Sequence, residues 1–401
     1  MITWKYKDNQ VYITYKVSFI GHICNSISIF NGTLVDGGGN FECFEGCSGN
    51  LISPVSYYCT DYSVVDNWAY GQRTFNITFP STSDNLYTFG YSSCCWASLV
   101  EGGIGNWLLL SKANLSIRQD NGRINSSPIS AMQPVVIVKK NCWYALKIPV
   151  LDEDDDVVKC RWANNSSPDE CKDACNGLKH SILDQKNCIL YINTTLAIGR
   201  YVVALQIEDF GNEHDTNAFS SIPLQFIVRI YDQTTMCDEK PSVGIIAKVG
   251  SLISIPPNTM FHQTIIARSA SPGISEINTV SPLGMLKSEL LKYGSSNDLW
   301  YVNVTWTPRT EDIGIQIFCY TAIDVDRQAS DQECKTLIIT DTEGCVSNPC
   351  AKGSSCTEQI NGLQKNMHWS HIITVIIELH NSILRVIISY LKYNRQQRPK
   401  H

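Results

Sequence analysis

Seventeen cysteines constrain this 401-residue chain more than any other feature of its sequence. So many cysteines in a chain of this length are typical of proteins that fold in an oxidising compartment, where thiols are joined in disulfides. Fourteen of the cysteines, an even number, lie between Cys24 and Cys334, and the other three stand apart at Cys345, Cys350 and Cys356. We therefore expect the fourteen to pair among themselves, although spacing alone does not decide the connectivity.

The overall composition narrows the class of protein further. Apolar residues make up 43% of the chain, aromatic residues 10% and charged residues 17%, so the chain can bury several hydrophobic cores. The abundance of Tyr, Ser, Thr and Ile favours β-strands over long helices. A net charge of −6 and a pI near 5.8 argue against nucleic acid as a partner, because such a partner requires a basic face.

Short strand-like runs separated by Gly, Ser, Asp and Asn clusters fill the chain up to residue 341. Residues 11–17 alternate between apolar and polar side chains and predict a strand, whereas the glycine-rich residues 36–40 predict a loop. No signal peptide precedes this first strand. We therefore divide the region into a cysteine-rich β domain over 1–132, interpreted as lacking its N-terminal part, and two β modules over 133–232 and 233–341.

The two later modules share a repeated C-terminal half. Residues 198–209 align without a gap with residues 313–324, and both stretches begin with Ile-Gly and end on an aspartate, Asp209 or Asp324. A polar turn and a second apolar strand follow each stretch, so we expect a β-hairpin at this edge of each module. The run from Trp306 to Asp324 resembles the ending of immunoglobulin-like and cadherin-like β-sandwich modules. The resemblance implies an all-β chain of tandem, disulfide-bonded β-sandwiches.

A second resemblance follows the repeats. The spacing Cys345-x4-Cys350-x5-Cys356 is similar to the first half of an EGF-like module, with Asn-Pro before the second cysteine. Such a module is too small to be held together by a core and depends on its disulfides. No cysteine follows Cys356. We therefore assign 342–366 to an incomplete EGF-like module and interpret 367–401 as a helical or disordered tail of doubtful nativeness.

The tail contains an apolar stretch, residues 371–391, with a helical rhythm. A membrane span needs about twenty predominantly apolar residues, and here Glu378, His380 and Arg385 interrupt the stretch. Three interpretations stay open: a membrane anchor, an amphipathic helix on a surface, or a segment that replaces the missing half of the EGF-like module. We favour the third, and membrane association is left undecided.

Some disulfide pairings can be anticipated from position. Cys319 and Cys334 flank the predicted hairpin of the third module and are expected to bridge across it. Cys94 and Cys95 have two alternatives: a bridge to each other, or, if both lie on a strand, different partners because their side chains point to opposite sides. We favour different partners. The modules over 133–232 and 233–341 hold five and three of the fourteen cysteines. These odd numbers imply one disulfide across the boundary, or a boundary drawn a few residues off.

An acidic run follows the apolar residues 145–150 and suggests a metal site. Closely packed oxygen ligands suit Ca²⁺, which accepts about six to eight of them in a flexible cage. The interpretation that we favour is a solvated acidic turn between strands, with calcium as the alternative, and no other cofactor is indicated. The aspartates that end the two repeats and the acidic residues before Cys345 extend the set. The candidate calcium ligands are Asp152, Asp154, Asp155, Asp156, Asp209, Asp324, Asp341 and Glu343.

Glycosylation sequons agree with an extracellular location. Eight Asn-x-Ser/Thr triplets are spread over the three predicted modules, and a sequon is expected on the surface of a secreted protein. Asn164 and Asn165 overlap, so at most one of them carries a glycan. The expected acceptors are Asn31, Asn76, Asn114, Asn125, Asn164, Asn193 and Asn303.

Sequence signatures of enzymes are absent, including the metalloprotease, nucleophile-elbow and phosphate-loop motifs. We expect a non-catalytic extracellular protein, secreted or at the cell surface, that works in adhesion, matrix assembly or recognition of protein or glycan ligands. The chain is interpreted as a fragment of a larger EGF-containing mosaic. Two alternatives remain: the ectodomain of a single-pass receptor with 371–391 as its anchor, and a secreted hydrolase with an unrecognised site.

Overall fold

The computed structural model describes residues 1–341, apart from residues 22, 48–50, 81, 96–97, 102–104, 179, 233–235, 245–251 and 270–272, together with two short strands over 358–360 and 363–365. Most of the predicted EGF-like module and the whole tail, including the three cysteines from Cys345 onward, Glu343 and residues 371–391, lie outside the described residues. The regular structure of the described residues is almost entirely β-strand, so the all-β prediction is confirmed. The helical elements are α1 (Ser26–Phe30) and two 3-10 turns (Lys172–Ala174 and Thr310–Asp312).

The first segment forms an antiparallel sheet. Its strands are β1 (Ile2–Lys7), β2 (Gln10–Ile20), β3 (Leu34–Glu45), β4 (Leu51–Ser63), β5 (Trp68–Ile77), β6 (Leu86–Ser93) and β7 (Trp107–Asn114). Burial alternates along β2, with Ile13 and Tyr15 facing the core and Thr14 and Lys16 facing away. The strand predicted from residues 11–17 is therefore confirmed, because a pleated strand directs successive side chains to opposite faces.

The glycine-rich stretch belongs to a strand, so the predicted loop was wrong. β3 continues through it, and its pairing with β4 shifts register between Asp36 and Asn40. Gly38 and Gly39 adopt φ values of +70° and +73°, a conformation that glycine reaches without a steric penalty. The extra residues form a bulge in the strand, which composition alone does not distinguish from a loop.

The second segment continues the same sheet. Its strands are β8 (Ile129–Ser130), β9 (Val135–Lys139), β10 (Trp143–Lys147), β11 (Val150–Leu151), β12 (Val157–Trp162), β13 (Ile182–Asp184), β14 (Ile189–Asn193), β15 (Gly199–Phe210) and β16 (Ser220–Tyr231). β16 pairs with β7 through Ser220 and Ser221, and β15 and β12 follow on its other side. An eleven-stranded sheet results, in the order β1-β2-β5-β4-β3-β6-β7-β16-β15-β12 with β9 beside β16. The division at residue 132 therefore falls within one continuous sheet.

A smaller three-stranded sheet, in the order β10-β14-β13, packs on the large one. Its buried residues Leu190 and Ile192 share a hydrophobic core with Val203 and Phe226 of the large sheet. The same core extends to Trp4, Tyr15 and Phe41 of the first segment. Burial of these apolar faces is the main force that holds the two segments together, since its contribution scales with the area removed from water.

The third segment is a β-sandwich, as predicted for this module. Its strands are β17 (Ser242–Val243), β18 (Leu252–Ile255), β19 (Phe261–Arg268), β20 (Ile274–Val280), β21 (Leu286–Lys287), β22 (Leu291–Lys292), β23 (Leu299–Trp306), β24 (Gly314–Asp324) and β25 (Glu333–Ile339). One sheet runs β17-β19-β23-β21 with β22 beside β23, and the other runs β20-β24-β25-β18 and continues into β26 (Glu358–Ile360) and β27 (Leu363–Lys365). Val302 and Trp306 of the first sheet meet Phe318 and Leu337 of the second in one core.

The predicted hairpins are confirmed in both modules. β15 pairs with β16 over nearly its full length, and the part of β24 from Gly314 to Tyr320 pairs with the whole of β25. The shared Ile-Gly start has a conformational reason, since Gly199 and Gly314 have φ values of +146° and +127° that side chains other than glycine rarely adopt. The two repeats therefore share a local geometry as well as a sequence pattern.

Seven disulfides pair all fourteen cysteines between Cys24 and Cys334, as expected. Two pairings follow the predictions: one disulfide joins β24 to β25, and another crosses the boundary near residue 232. The bridges are Cys24–Cys59, Cys43–Cys47, Cys94–Cys95, Cys142–Cys237, Cys160–Cys188, Cys171–Cys175 and Cys319–Cys334.

The prediction for the adjacent cysteines was wrong. Cys94 is bonded to Cys95 rather than to a separate partner. The expectation placed both residues on a strand, where neighbouring side chains diverge. β6 ends at Ser93, so the two cysteines follow the strand and the alternation rule does not apply to them.

Buried polar contacts attach the third segment to the first. Asp61 of β4 accepts hydrogen bonds from the backbone N–H and the hydroxyl of Thr279, at 2.5 and 2.8 Å, and from the Lys287 ammonium at 2.6 Å. The Glu276 carboxylate accepts hydrogen bonds from Ser63 and from the next two backbone N–H groups. Because Asp61 is completely buried, its charge is balanced by partners that lie on the third segment.

Candidate functional site

The acidic run of the second segment folds back on itself between β11 and β12. Asp152 Oδ1 accepts hydrogen bonds from the backbone N–H groups of Asp154, at 2.8 Å, and Asp156, at 3.3 Å. This local turn is characteristic of an aspartate that bonds its own backbone two residues on. It brings one carboxylate oxygen from each of Asp152, Asp154 and Asp156 within 4.8 Å of the others.

A fourth carboxylate, that of Asp209 at the end of β15, lies beside this group. Asp209 is completely buried. Its Oδ1 accepts hydrogen bonds from the N–H and hydroxyl of Ser220, and its Oδ2 accepts one from Asn125 Nδ2 at 2.7 Å. Burial raises the pKa of Asp209 to about 6, because the charged form is poorly solvated there.

Arg118 is the cation that the described residues place against these carboxylates. Its guanidinium donates to both oxygens of Asp156 and, at 2.7 Å, to Asn125 Oδ1. It also donates to the exposed Asp120 and lies 4.0 Å from the centre of the Phe219 ring. One guanidinium does not balance four neighbouring carboxylates, so the acidic cluster of Asp152, Asp154, Asp156 and Asp209 retains an excess of negative charge.

Asp152 carries a buried carboxylate oxygen, Oδ2, that has no hydrogen-bond partner among the described residues. Burial, and then the charge of Asp209, raises the pKa of Asp152 to about 8. A buried carboxylate oxygen without a partner is unfavourable unless a proton or a metal ion compensates it.

The donor set of the acidic cluster fits a hard divalent cation. Carboxylate oxygens are ligands that Ca²⁺ prefers, and Asp154 Oδ2 belongs to this group, where it accepts the Ser126 N–H at 2.7 Å. Asn125 meets the group through its Nδ2 donor and offers it no oxygen, because its Oδ1 accepts from Arg118. A second group of close side chains, Asp169 with Cys171 and Cys175, does not offer thiolates because the two cysteines are bonded to each other.

The remaining candidate ligands do not join the cluster. Asp155 lies in the same run but is exposed, with φ +61°. Asp324 is the repeat counterpart of Asp209 and is also buried, but its Oδ1 accepts the backbone N–H of Gln328 in the separate third segment. Asp341 is exposed, and Glu343 lies outside the described residues. The structure therefore separates the candidates into one cluster and isolated carboxylates.

Arg118, Asn125 and Ser126 are site residues that sequence reasoning missed. They come from the loop before β8, far from the acidic run in sequence, and the loop is placed beside the run by the pairing of β8 with β11. The arginine has no distinguishing motif around it. The Asn125 sequon was visible, but it pointed to a different role.

The predicted glycan acceptors differ in accessibility. Asn31, Asn76 and Asn164 are exposed, whereas Asn114, Asn193 and Asn303 are half-buried. Asn125 is 1% exposed, and its Nδ2, the atom that would carry a glycan, donates to Asp209 and to the Ser126 carbonyl. The expectation of a glycan at Asn125 conflicts with this geometry, because a sugar has no room at a buried, hydrogen-bonded amide.

Comparison with known proteins gives a match for the first segment. Residues 1–116 match the family described as integrin beta-like protein A-E, N-terminal. Integrin beta-like protein C of Dictyostelium discoideum is 29% identical over 131 residues, which cover 32% of this chain and 6% of that protein. The chain thus spans only a small part of the length of the curated relative it matches.

Solved structures give only distant similarity. The Dpr2 immunoglobulin domains in complex with DIP-Theta cover 82% of this chain and 94% of that chain, at 8% identity and a TM-score of 0.20. A tandem of titin immunoglobulin domains covers 54% of this chain and 98% of the titin chain, at 8% identity and a TM-score of 0.19. An endo-fucoidan hydrolase of glycoside hydrolase family 107 covers 82% of this chain and 42% of the hydrolase chain, at 12% identity and a TM-score of 0.18. Scores this low carry no argument about this chain.

Proposed function

We propose that this chain is part of a non-catalytic adhesion protein that works outside the cell or at its surface and binds extracellular protein or glycan ligands. The observation that carries the proposal is the match of residues 1–116 to the integrin beta-like family. Seven disulfides support the location, because such bridges persist in oxidising compartments.

The receptor alternative depends on residues 371–391, which lie outside the described residues. Within the part of the chain that the structure describes, no helix has both the length and the apolar character needed to cross a bilayer. The hydrolase alternative has no motif in its favour. Adhesion remains the better proposal because a family match supports it.

Cell adhesion tests the proposed function directly. Beads coated with the purified chain are expected to bind more cells than beads coated with the same chain after reduction and alkylation, because the disulfides hold the binding surfaces in place. The measurement is the number of cells per bead by microscopy. Equal binding to the native and the reduced chain would contradict the adhesion proposal.

We also propose that the acidic cluster binds one Ca²⁺ as a structural cofactor of the second segment. The support is the grouping of three carboxylates, the adjacent Asp209 and the unpartnered Asp152 Oδ2. The ion would connect the acidic run to the end of β15 and so fix one end of this segment. The solvated-turn alternative is less consistent with a run in which Asp152 is 8% exposed.

Calcium is therefore expected to stabilise the chain. At a free Ca²⁺ concentration one hundred times the dissociation constant, a cation that binds only the folded state adds about 2.7 kcal/mol to the free energy of unfolding. Thermal unfolding in millimolar CaCl₂ and in EGTA measures the shift in melting temperature. Asp154→Asn is expected to remove most of this shift.

Asp155→Asn provides the matched control. It makes the same chemical change one residue away, at an exposed position whose left-handed φ asparagine also accepts. This variant is expected to keep the calcium-dependent shift of the unmodified chain. The calcium proposal is wrong if the unmodified chain melts at the same temperature in CaCl₂ and in EGTA.

A further inference from the structure

A cleft of about 880 Å³ lies where the three segments meet. One wall is the outer face of β1, β2 and β5, and the opposite wall comes from the third segment around Met260, Leu283 and Arg309. Ser126, Ser130 and their neighbours form the floor. The cleft is lined by both polar and apolar groups, as is usual for a ligand-binding site.

The sheet wall presents polar side chains in cross-strand rows. In one row Thr14 lies between Thr3 and Thr74, and the hydroxyls of Thr14 and Thr74 are 2.8 Å apart. In the row on one side, Tyr12 lies between Lys5 and Asn76, and on the other side Lys16 lies opposite Gln72. These residues face the cleft because their neighbours in sequence face the core.

The two walls are fixed relative to each other. The Lys5 ammonium, on the sheet wall, bonds the Glu153 carboxylate at 3.0 Å and the Ile313 carbonyl at 3.4 Å. The buried hydrogen bond between Asp61, on β4 of the same sheet, and Lys287 attaches the third segment at a second point. A cleft with fixed walls is preorganised for a ligand, which reduces the entropy lost on binding.

Lys16 is the unusual residue of the cleft. It is half-buried, and burial lowers the pKa of its ammonium to about 8. None of the described carboxylates forms an ion pair with it. In the same region Gln72 Oε1 and Ser130 Oγ are buried without hydrogen-bond partners. Buried polar groups of this kind are unfavourable unless something supplies the missing partners.

We infer that the cleft binds a short acidic oligosaccharide, with a sugar carboxylate against Lys16 and a sugar ring on Tyr12. The inference rests on the proposed adhesion function and names a ligand class for it. The aromatic ring of Tyr12 offers an apolar surface to the C–H face of a sugar. The hydroxyls and amides of the rows offer donors and acceptors to sugar hydroxyls.

A peptide fits the sheet wall less well. An extended peptide gains most of its affinity by pairing with an open strand edge, and β2 is paired on both sides, with β1 and β5. The outer edge of β1 is partly occupied as well, because the Trp4 backbone exchanges hydrogen bonds with Ser127. The wall therefore presents side chains rather than free backbone groups.

Titration calorimetry with the full chain tests the ligand class. The probes are a hyaluronan tetrasaccharide, which carries carboxylates, and chitotetraose, which is neutral. The acidic tetrasaccharide is expected to bind at least about tenfold tighter than the neutral one, because one charge-assisted hydrogen bond contributes enough free energy for that difference. Equal affinity for the two sugars, or no binding of either, would overturn the inference. Tighter binding of tetraglutamate than of either sugar would assign the cleft to peptides instead.

Lys16→Gln tests the residue, and Lys147→Gln is its control at an exposed lysine on β10, away from the cleft. Lys16→Gln is expected to weaken tetrasaccharide binding about tenfold without lowering the melting temperature, because it removes a poorly solvated charge. Lys147→Gln is expected to bind as the unmodified chain does. The inference fails if both variants bind alike.

The bead experiment separates this inference from the adhesion proposal. Beads that bind cells while the chain binds no tetrasaccharide leave adhesion standing and exclude the acidic sugar. If the chain binds the tetrasaccharide in a way that depends on Lys16 but the beads bind no cells, the acidic-sugar inference stands and the adhesion proposal is contradicted.

Discussion

Replacing Cys142 and Cys237 together with alanine is expected to lower the free energy of unfolding by about 4–5 kcal/mol. This disulfide spans 95 residues of sequence, and closing a long loop removes more conformational freedom from the unfolded chain than closing a short one. Denaturant unfolding monitored by tryptophan fluorescence measures the change.

The Cys43–Cys47 disulfide provides the control for this prediction. It spans only 4 residues, so its replacement by two alanines is expected to lower the free energy of unfolding by about 2 kcal/mol. Both variants remove one bridge and two sulfur atoms. Losses of equal size would show that loop length does not determine the contribution of these bridges.

Asp61→Ala is expected to lower the free energy of unfolding by about 3 kcal/mol, the low end of what the loss of one partner from a buried ion pair causes. The substitution leaves the Lys287 ammonium without its carboxylate and the Thr279 N–H without its acceptor. Both of these groups belong to the third segment. Calorimetry is therefore expected to resolve two transitions for this variant and one for the unmodified chain.

Asp331→Ala is the control, because Asp331 pairs with Lys240 on the surface and is 77% exposed in its side chain. Surface pairs of this type contribute less than about 1 kcal/mol. Lys287→Met added to Asp61→Ala is expected to recover part of the lost stability, since it removes the unpaired ammonium. A single transition in the Asp61→Ala variant would contradict the assigned attachment.

The sequence predicted local features better than it predicted arrangement. Alternation along β2 and the Ile-Gly repeats gave the right strands and hairpins, because both patterns arise from the pleat and from backbone geometry within a few residues. The disulfide between Cys319 and Cys334 followed from the same hairpin. The continuity of one sheet from β7 to β16 was not predictable, since two serines carry that pairing and nothing in their sequence marks it.

The errors have local causes. The glycine-rich part of β3 has the composition of a loop, and only the pairing of its flanks shows that it is a bulge. Cys94 and Cys95 follow β6 by one residue, a distance smaller than the uncertainty of a strand boundary read from sequence. For the acidic cluster, the run itself was visible, but Arg118 was not, because an arginine 34 positions earlier becomes a partner only through the tertiary fold.

The Cys142–Cys237 bridge also sets the mechanical behaviour of the chain. When the chain is pulled from its two ends, tension passes across this bridge, whose Cα atoms are 5.7 Å apart, and bypasses the residues inside the loop. The sequence separation of 95 between the two cysteines would otherwise correspond to about 320 Å of stretched chain. A load on the two chain ends therefore does not stretch the loop that contains β15 and β16, and the chain lengthens less under force than it would without the bridge.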